Sequence, residues 1–561
     1  MLLPDRSSAG VYSMENDRSQ QPQIVTNGYC TLVLPFPRGE ENVNTLVTSP
    51  EEINRKFGDA TGRYAVSVQI AKLLMTKATR LNITRAANNT RKSSVYLTLF
   101  DNTCVFRAGM QGGIKDIEDV PFNTRDIGVF ASISGYAEAD RIWLTVEPDF
   151  TDRMGIKSIV KVYEGDNLTP VEQHIVTTFY YRDGNGDQFF IEDVINNQSN
   201  LIRFRLNVDN FRLLEDPKFM LINAIAGGKY DPLNPTQPNG QMVGGSDGDI
   251  VDIYDPDPII SGRSLSLLLK GWDNYRDWEE TEAGILCAGG QEHPVIANKI
   301  NELAKSRMDC IACSAPPSTV QERDRAVAYR RGTKEFGGAV FSLIDSWSAL
   351  TSSDVLARDN ENSRNFWVPA SVCMAYTMLN TDQIASWLAP AGLNRGQLPF
   401  ALDVRHRYRQ SDRDILNDNQ INPIAVIKGE GIFVFGADTT QTTRSALNDI
   451  GVRRLLAMLH ATVRSENLAA VFEPNDDVLK QRMVAGMEAV LEPIKLGRGL
   501  DWYEVRCDYS NNTAMDEARG DLIVDIFLDP TRYTKRIHVT AVVPPVGEIQ
   551  YALELIQKGQ L

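Results

Sequence analysis

The sequence predicts a multidomain protein of mixed α/β and α+β class, in which α/β core layers carry an inserted β-rich domain and extended terminal arms exchange strands between subunits. Three observations favour this class. Strand and helix patterns alternate over 26–100 and again after 245, as they do in an α/β layer. Short alternating runs dominate from 101 to 230. A strand without an evident partner lies near the C-terminal end, at 533–543.

The first core layer follows a polar arm. Residues 1–25 contain one short extended candidate, and we expect this arm to be ordered only when it is docked. In Ser49-Pro50-Glu51-Glu52, the serine is a helix N-cap, the proline takes the first helical position and a glutamate stands three residues after the cap. The layer is predicted as strands at 24–34, 43–47 and 81–86 and helices at 49–57 and 64–78.

The inserted block consists of short strands separated by turn residues. Within it, 183–187 (Asp-Gly-Asn-Gly-Asp) resembles the start of a calcium loop. Gln188 stands where that loop requires glycine and Val194 where it requires glutamate, so a hairpin turn is the preferred interpretation. The strands are predicted at 128–133, 141–146, 158–163, 175–181 and 201–206.

Alternation of strands and helices returns after the glycine- and proline-rich loop 227–249. Strands are predicted at 283–288, 308–314, 339–343, 501–507 and 521–528, and 421–435 is predicted as two short strands around the turn 428–431. Helices are predicted at 294–307, 320–331, 366–379, 449–465, 477–492 and 548–558. The predicted domains are an N-terminal arm (1–25), a discontinuous middle α/β domain (26–100 plus 245–415), an inserted β-rich outer domain (101–230), an inner C-terminal α/β domain (416–530) and a C-terminal strand arm with a short helix (531–561).

The strand at 533–543 has the period-two pattern of a half-buried strand. Its apolar face carries Tyr533, Ile537, Val539 and Ala541, and Pro544-Pro545 end it because proline cannot donate to a ladder. A strand in this position either closes its own sheet or is lent to another chain. We interpret it as lent, in a building block of a filament; an ordinary edge strand is the alternative.

Composition excludes several classes of function. The net charge of −15 argues against general nucleic-acid binding, which needs a basic field over phosphates. No apolar run approaches the ~20 residues of a membrane span, and we expect no secretory signal. The seven cysteines are scattered and odd in number, so reduced thiols are expected. Cys310 and Cys313 form a CxxC within a predicted buried strand, where they would point to opposite faces and chelate poorly.

No motif in the sequence indicates an active site. The five histidines show no metal-ligand spacing, and there is no nucleophile elbow, phosphate-binding loop or dinucleotide fingerprint. We therefore expect no enzyme, no cofactor and no metal, and we expect Arg395 to form a surface or interface ion pair. A soluble α/β enzyme with an inserted β domain remains the alternative function.

Several motifs, in their order and spacing, resemble the contractile tail sheath proteins of myovirus-type phages, a family related to the sheaths of R-type pyocins and type VI secretion. The resemblance covers nearly the whole chain and is weakest in 101–230. It rests on Gly10-Val11-Tyr12, 47–58 (Val-Thr-Ser-Pro-Glu-Glu-Ile-Asn-Arg-Lys-Phe-Gly), 244–248 (Gly-Gly-Ser-Asp-Gly), 387–396 (Trp-Leu-Ala-Pro-Ala-Gly-Leu-Asn-Arg-Gly), 429–437 (Gly-Glu-Gly-Ile-Phe-Val-Phe-Gly-Ala), Val452-Arg453-Arg454, 472–476 (Phe-Glu-Pro-Asn-Asp) and 519–526 (Arg-Gly-Asp-Leu-Ile-Val-Asp-Ile).

This resemblance implies a structural subunit that polymerises helically around a tail tube and contracts to drive the tube through a bacterial envelope. The implied partners are other copies of the chain in stacked hexameric rings, the tail tube protein, and baseplate and tail terminator proteins. The implied location is the virion tail, assembled in the bacterial host cytoplasm, without nucleic-acid binding or direct membrane insertion. The long chain and its inserted block favour a phage over a pyocin or a secretion system.

The site residues expected from this interpretation are of two kinds. Inter-subunit strands are expected at Gly10, Val11, Tyr12, Tyr533, Ile537, Val539 and Ala541. Tube-facing charges are expected at Lys480, Arg482, Lys495 and Arg498.

Overall fold

A computed structural model describes residues 28–100, 103–149, 151–152, 157–177, 186–207, 225–226, 240–334, 340–359, 361–467 and 470–532. The strands are β1 (Tyr29–Leu34), β2 (Asn44–Val47), β3 (Arg80–Arg85), β4 (Ser94–Phe100), β5 (Thr103–Ala108), β6 (Asp126–Ser132), β7 (Ile142–Pro148), β8 (Ser158–Glu164), β9 (Glu172–Val176), β10 (Ile202–Leu206), β11 (Ile225–Ala226), β12 (Ile285–Cys287), β13 (Ile311–Ser314), β14 (Ser348–Ser352), β15 (Val355–Asp359), β16 (Arg364–Val368), β17 (Ala401–Val404), β18 (Asn422–Ile427), β19 (Gly431–Val434), β20 (Leu500–Arg506) and β21 (Asp525–Pro530).

Twelve α-helices lie among the described residues, with short 3-10 turns at Ala137–Arg141, Ser318–Val320 and Ala446–Asn448. The helices are α1 (Pro50–Phe57), α2 (Ala65–Met75), α3 (Ile191–Gln198), α4 (Pro258–Asp273), α5 (Pro294–Arg307), α6 (Arg323–Arg330), α7 (Ala370–Asp382), α8 (Gly392–Arg395), α9 (Gln410–Asp418), α10 (Ile450–Asn467), α11 (Asp477–Leu496) and α12 (Ala514–Arg519). In the part of the chain that the structure describes, none of them combines the length and the apolar character that a membrane crossing requires.

The core is an eight-stranded sheet in the order β19-β18-β14-β13-β12-β1-β3-β2. Its six central strands run parallel, and β19 and β2 add an antiparallel strand at each edge. Successive side chains of a strand point to opposite faces. Leu32 therefore packs with α1, α2 and α7, whereas its neighbour Val33 packs with α4 and α5. Helices cover both faces, so the central strands are largely buried, and β1 and β12 are largely apolar.

Local helix signals are confirmed where they are strong. Ser49 caps α1 by accepting a hydrogen bond from the backbone N–H of Glu52, and Pro50 takes the first position. Asp476 caps α11 by accepting from the backbone N–H of Leu479. The helix predicted from 366 is displaced, because α7 begins only after Pro369. The preceding residues form β16, since the residue before a proline is disfavoured in a helix.

Two parts of the core sheet differ from the predictions. The chain is irregular at 340–343, within the predicted strand 339–343, and the strand of this region is β14. β14 reads Ser-Ala-Leu-Thr-Ser and is buried throughout. Because both of its faces are buried, apolar and polar residues do not alternate along it, and no sequence pattern predicts it as a strand. The predicted inner domain begins at 416, yet β18 pairs parallel with β14 through Thr351 and Asn422. β18 and β19 therefore belong to the core sheet. The predicted boundary at 416 missed this, because pairing between strands so distant in sequence leaves no local signal.

The inserted domain packs a five-stranded sheet, β10-β6-β4-β5-β11, against the antiparallel sheet β7-β8-β9 and helix α3. Its shared core includes Phe130, Phe204 and Val160. The domain begins with β4 at Ser94, before the predicted boundary at 101, because β4 pairs with β5 and β6. The predicted hairpin turn at 183–187 lies mostly outside the described residues.

The C-terminal unit combines α10, α11 and α12 with the two-stranded antiparallel sheet β20–β21. Leu455 and Leu459 of α10 pack against Val490, Leu491 and Ile494 of α11. Tyr503, Val505, Ile526 and Leu528 extend this cluster from one face of the sheet.

Candidate functional site

The predicted inter-subunit strand residues lie outside the described residues. This holds for Gly10, Val11 and Tyr12 in the N-terminal arm and for Tyr533, Ile537, Val539 and Ala541 after β21. The chain is described up to Arg532, and the described C-terminal unit includes α11, β20 and β21.

The sheet β20–β21 is small and open at its sides. Its central pairs are Tyr503 with Leu528, Glu504 with Phe527, and Val505 with Ile526. Among the described strands, β20 and β21 pair only with each other, so each has one edge without a strand partner there. A two-stranded sheet is at best marginally stable alone, and unpaired N–H and C=O groups on an edge are a template for a further strand. The sheet is therefore a candidate strand acceptor.

The outer face of this sheet is partly apolar. Trp502 is 49% exposed and Phe527 is 43% exposed. Arg506 lies over the Phe527 ring, 5.1 Å from its centroid, and its guanidinium pairs with Glu504 at 2.8 Å. The inner face packs on the helices. Among the described residues, the outer face and the two edges of the sheet are therefore the parts without a covering element.

Three of the four predicted tube-facing charges lie on the surface. Arg482, Lys495 and Arg498 are exposed along α11 and at its C-terminal turn. Lys480 differs from them, because its side chain is 4% exposed and pairs with Glu517 of α12. Its ammonium also lies 4.3 Å from the centroid of the Tyr509 ring. Lys480 therefore fastens α12 to α11. Sequence spacing could not indicate this, since the partner is 37 residues away.

The buried carboxyl group of Glu292 in the core has hydrogen-bond partners within the chain. The Glu292 carboxylate accepts hydrogen bonds from the Ser371 hydroxyl and from the backbone N–H of Ala315 at 2.8 Å and of Gly290 at 3.3 Å. Burial raises the pKa of Glu292 to about 8. The predicted ion pair of Arg395 stays a prediction. Arg395 is the last residue of α8, and its guanidinium Nε donates to the Ala389 carbonyl, before that helix, at 2.9 Å.

Six cysteines whose side chains the structure describes are free, and the pair of the CxxC motif is buried. Burial raises the pKa of the Cys310 and Cys313 thiols well above the ordinary value, which opposes the thiolate form that a metal or redox site needs. Among the residues that the structure describes, no three His, Cys, Asp or Glu side chains converge in a way that could hold a metal ion.

Comparison with known proteins adds the following findings. Residues 442–544 match the family model of the phage tail sheath C-terminal domain. The tail sheath protein of Enterobacteria phage T4 is 26% identical over 294 residues, which are 50% of this chain and 45% of that protein. The tail sheath protein of Vibrio phage KVP40 is 28% identical over 283 residues, which are 47% of this chain and 42% of that protein. The matched region thus spans less than half the length of these curated relatives.

A solved structure extends the likeness in fold. The sheath tail protein from Listeria innocua is 11% identical, with a TM-score of 0.52 over 91% of this chain and 97% of that chain. This likeness supports the mixed α/β multidomain architecture with several sheets. The family match and the curated relatives confirm the predicted resemblance to tail sheath proteins. Nothing in these comparisons supports the enzyme alternative, and the relatives carry the name of a structural protein.

Proposed function

We propose that this chain is the structural subunit of a contractile tail sheath, which polymerises helically around a tail tube and contracts to drive the tube through a bacterial envelope. The observation that carries the proposal is the open two-stranded sheet β20–β21, which lies within the segment that matches the tail sheath family model. The sheath is part of a phage virion tail and is assembled in the bacterial host cytoplasm. The protein acts as a structural component and not as an enzyme.

Strand exchange provides the connections between subunits. The edges of β20 and β21 accept the N-terminal arm, through Gly10, Val11 and Tyr12, and the C-terminal strand 533–543 of neighbouring subunits. Each added backbone hydrogen bond contributes only about 0.5–1.5 kcal/mol. Every subunit both donates and accepts strands, however, so the lattice is multivalent and its connections reinforce one another.

The symmetry of this exchange favours a tube. A subunit that donates to one neighbour and accepts from another forms a head-to-tail interface, and such an interface generates an open helix unless it closes on itself. Stacked hexameric rings satisfy this geometry. At each end of the tube, the last subunits lack a neighbouring subunit that donates or accepts a strand. Baseplate and terminator proteins then occupy these two ends.

Contraction requires no nucleotide in this scheme. The extended lattice is metastable, and the contracted lattice buries more complementary surface between subunits. The exchanged strands keep neighbours connected while the domain bodies rotate, so the segments that lead into them serve as hinges. The inner surface that meets the tube carries Arg482, Lys495 and Arg498 of the α11 region, because these cations are exposed and Lys480 is not.

Truncation tests the proposal directly. A chain that ends after Pro530 lacks the donated strand but keeps β20 and β21. We expect it to fold with the same secondary structure content and to remain unpolymerised when examined by electron microscopy and sedimentation. The matched control ends after Pro545, so that it loses only the predicted terminal helix; it is expected to form tubes. Normal tubes from the shorter chain would refute strand donation by the C-terminal end.

A further inference from the structure

The C-terminal unit meets the core at one end of a buried core helix. Asp382 is the last residue of α7, and it forms an ion pair with Arg454 of α10. The two side chains are 3% and 2% exposed. The Ser386 hydroxyl donates to the same carboxylate at 2.6 Å, and the Arg454 guanidinium donates to the Met378 carbonyl at 3.3 Å. This end of α7 is thus a rigid attachment point for α10.

Trp387 follows directly and crosses from the core to the C-terminal unit. Its indole N–H donates to the Gly497 carbonyl at 3.1 Å, and its ring packs with the cluster between α10 and α11. A Cβ atom on Gly497 would lie 2.8 Å from the indole, and one on Gly499 would lie 2.9 Å from it. These distances are shorter than a Cβ contact allows. The indole therefore lies directly on the backbone of the turn between α11 and β20.

This turn lies at the end of the sheet where β20 begins and β21 ends. Gly499 immediately precedes β20, and its carbonyl accepts a hydrogen bond from the backbone N–H of Thr531 at 3.2 Å. Thr531 immediately follows β21. The Thr531 hydroxyl also donates to the Asp501 carboxylate at 2.6 Å. Trp387 thus contacts the point where the start of β20 and the end of β21 come together.

We propose that Trp387 is the positioning residue that fixes the orientation of the β20–β21 sheet on the α/β core. The inference rests on the proposed function, because orientation matters if that sheet receives strands from neighbouring subunits. A donated strand is then held at a set angle to the core. Force on that strand is transmitted to α7 through the Gly497 carbonyl and the indole of Trp387. Without the indole the sheet would open more often, and its angle to the core would vary.

Substitutions in the full-length chain test this role. Trp387→Phe keeps an aromatic ring but loses the N–H, and Trp387→Ala loses both. The matched control is Trp143→Phe in the inserted domain, where the indole N–H also donates to a glycine carbonyl, that of Gly165, at 3.1 Å. Two measurements are made on each chain: backbone amide exchange before polymerisation, and the helical twist of the tubes by electron microscopy.

We expect amides of β20 and β21 to exchange about fivefold faster in Trp387→Phe and more than ~30-fold faster in Trp387→Ala. Amides of β12 and β13 should stay at wild-type rates, and the variant tubes should show an altered or irregular twist. The Trp143→Phe control should match the wild type in β20, β21 and twist.

Three results would overturn the inference: unchanged exchange in β20 and β21, an equal increase in β12 and β13 that indicates general destabilisation, or tubes of wild-type twist from Trp387→Ala. If Trp387→Ala fails to fold, Trp387→Phe decides by the same criteria. A wild-type chain that forms no tubes would refute the proposed function instead, and amide exchange would still decide whether Trp387 fixes the sheet to the core.

Discussion

The Arg85 guanidinium donates a hydrogen bond to the Gly135 carbonyl at 2.8 Å and so joins the core to the inserted domain. Arg85 is 1% exposed at the end of β3, and it also donates to the carbonyls of Phe36 at 3.0 Å and Gly39 at 2.7 Å. Burial lowers the pKa of Arg85 to about 10, so the side chain remains charged at neutral pH. One buried cation therefore satisfies backbone acceptors on both sides of the domain boundary.

Replacing this cation should loosen the boundary and lower stability. Arg85→Met keeps most of the side-chain volume but leaves four carbonyls, those of Phe36, Pro37, Gly39 and Gly135, without their donor. We expect a loss of roughly 3 kcal/mol in the free energy of unfolding. Urea denaturation measures the loss. The control is Arg80→Met, at the other end of β3, whose exposed pair with Glu282 at 3.5 Å should contribute less than about 1 kcal/mol. Equal effects of the two substitutions would contradict the role given to Arg85.

Glu292 should make stability fall as pH rises. Its pKa is raised to about 8 in the folded chain, chiefly by burial, against about 4.3 in an unfolded chain. The folded state thus binds the proton more tightly. The contribution of Glu292 to the free energy of unfolding is therefore fully present below about pH 4.3 and is lost as pH rises towards 8. We expect the difference in unfolding free energy between wild type and Glu292→Gln to fall by up to about 1.4 kcal/mol per pH unit in this range.

Chemical denaturation at several pH values measures this difference. The control is Glu282→Gln, which removes an exposed carboxylate. The difference in unfolding free energy between wild type and this variant is measured at the same pH values. A difference between wild type and Glu292→Gln that stays constant from pH 5 to 8 would show that the buried group does not titrate in this range.

The sequence anticipates those parts of the fold that depend on neighbouring residues. Ser49 was predictable as a cap because a cap acts within one turn of helix. β14 was missed, since its small polar residues carry no alternating pattern. Sheet membership of β18 and the burial of Lys480 were also missed, because both depend on partners distant in sequence. The 387–396 loop was identified, but the contact of its first residue with Gly497 was not.

The buried thiols should resist alkylation in the native protein. Burial raises the pKa of the Cys310, Cys313 and Cys373 thiols well above the ordinary value and also blocks the approach of reagent. We expect iodoacetamide to leave these three unmodified in native buffer and to modify them fully in urea, as peptide mass spectrometry would report. Rapid native labelling of Cys310 or Cys313 would instead support a functional CxxC pair.

Reversal of the exposed charges near α11 should separate sheath assembly from tube binding. The triple variant Arg482→Glu, Lys495→Glu and Arg498→Glu places three carboxylates where the proposed tube contact needs cations, while Lys480 remains to hold α12. Exposed ion pairs contribute only about 0.2–1 kcal/mol each, but the contact repeats in every subunit. We expect empty tubes of normal diameter and a strong loss of co-sedimentation with tail tubes. For the wild type, co-sedimentation should weaken as salt is raised, because salt screens exposed charges.

The control for the triple variant makes the same change in net charge elsewhere on the surface. Arg63→Glu, Lys115→Glu and Lys428→Glu alter exposed cations of the core and the inserted domain, so they should leave co-sedimentation at the wild-type level. If both triple variants bind the tube equally, the cations of the α11 region do not form the tube contact. If the α11 variant forms no tubes at all, these cations lie between sheath subunits instead.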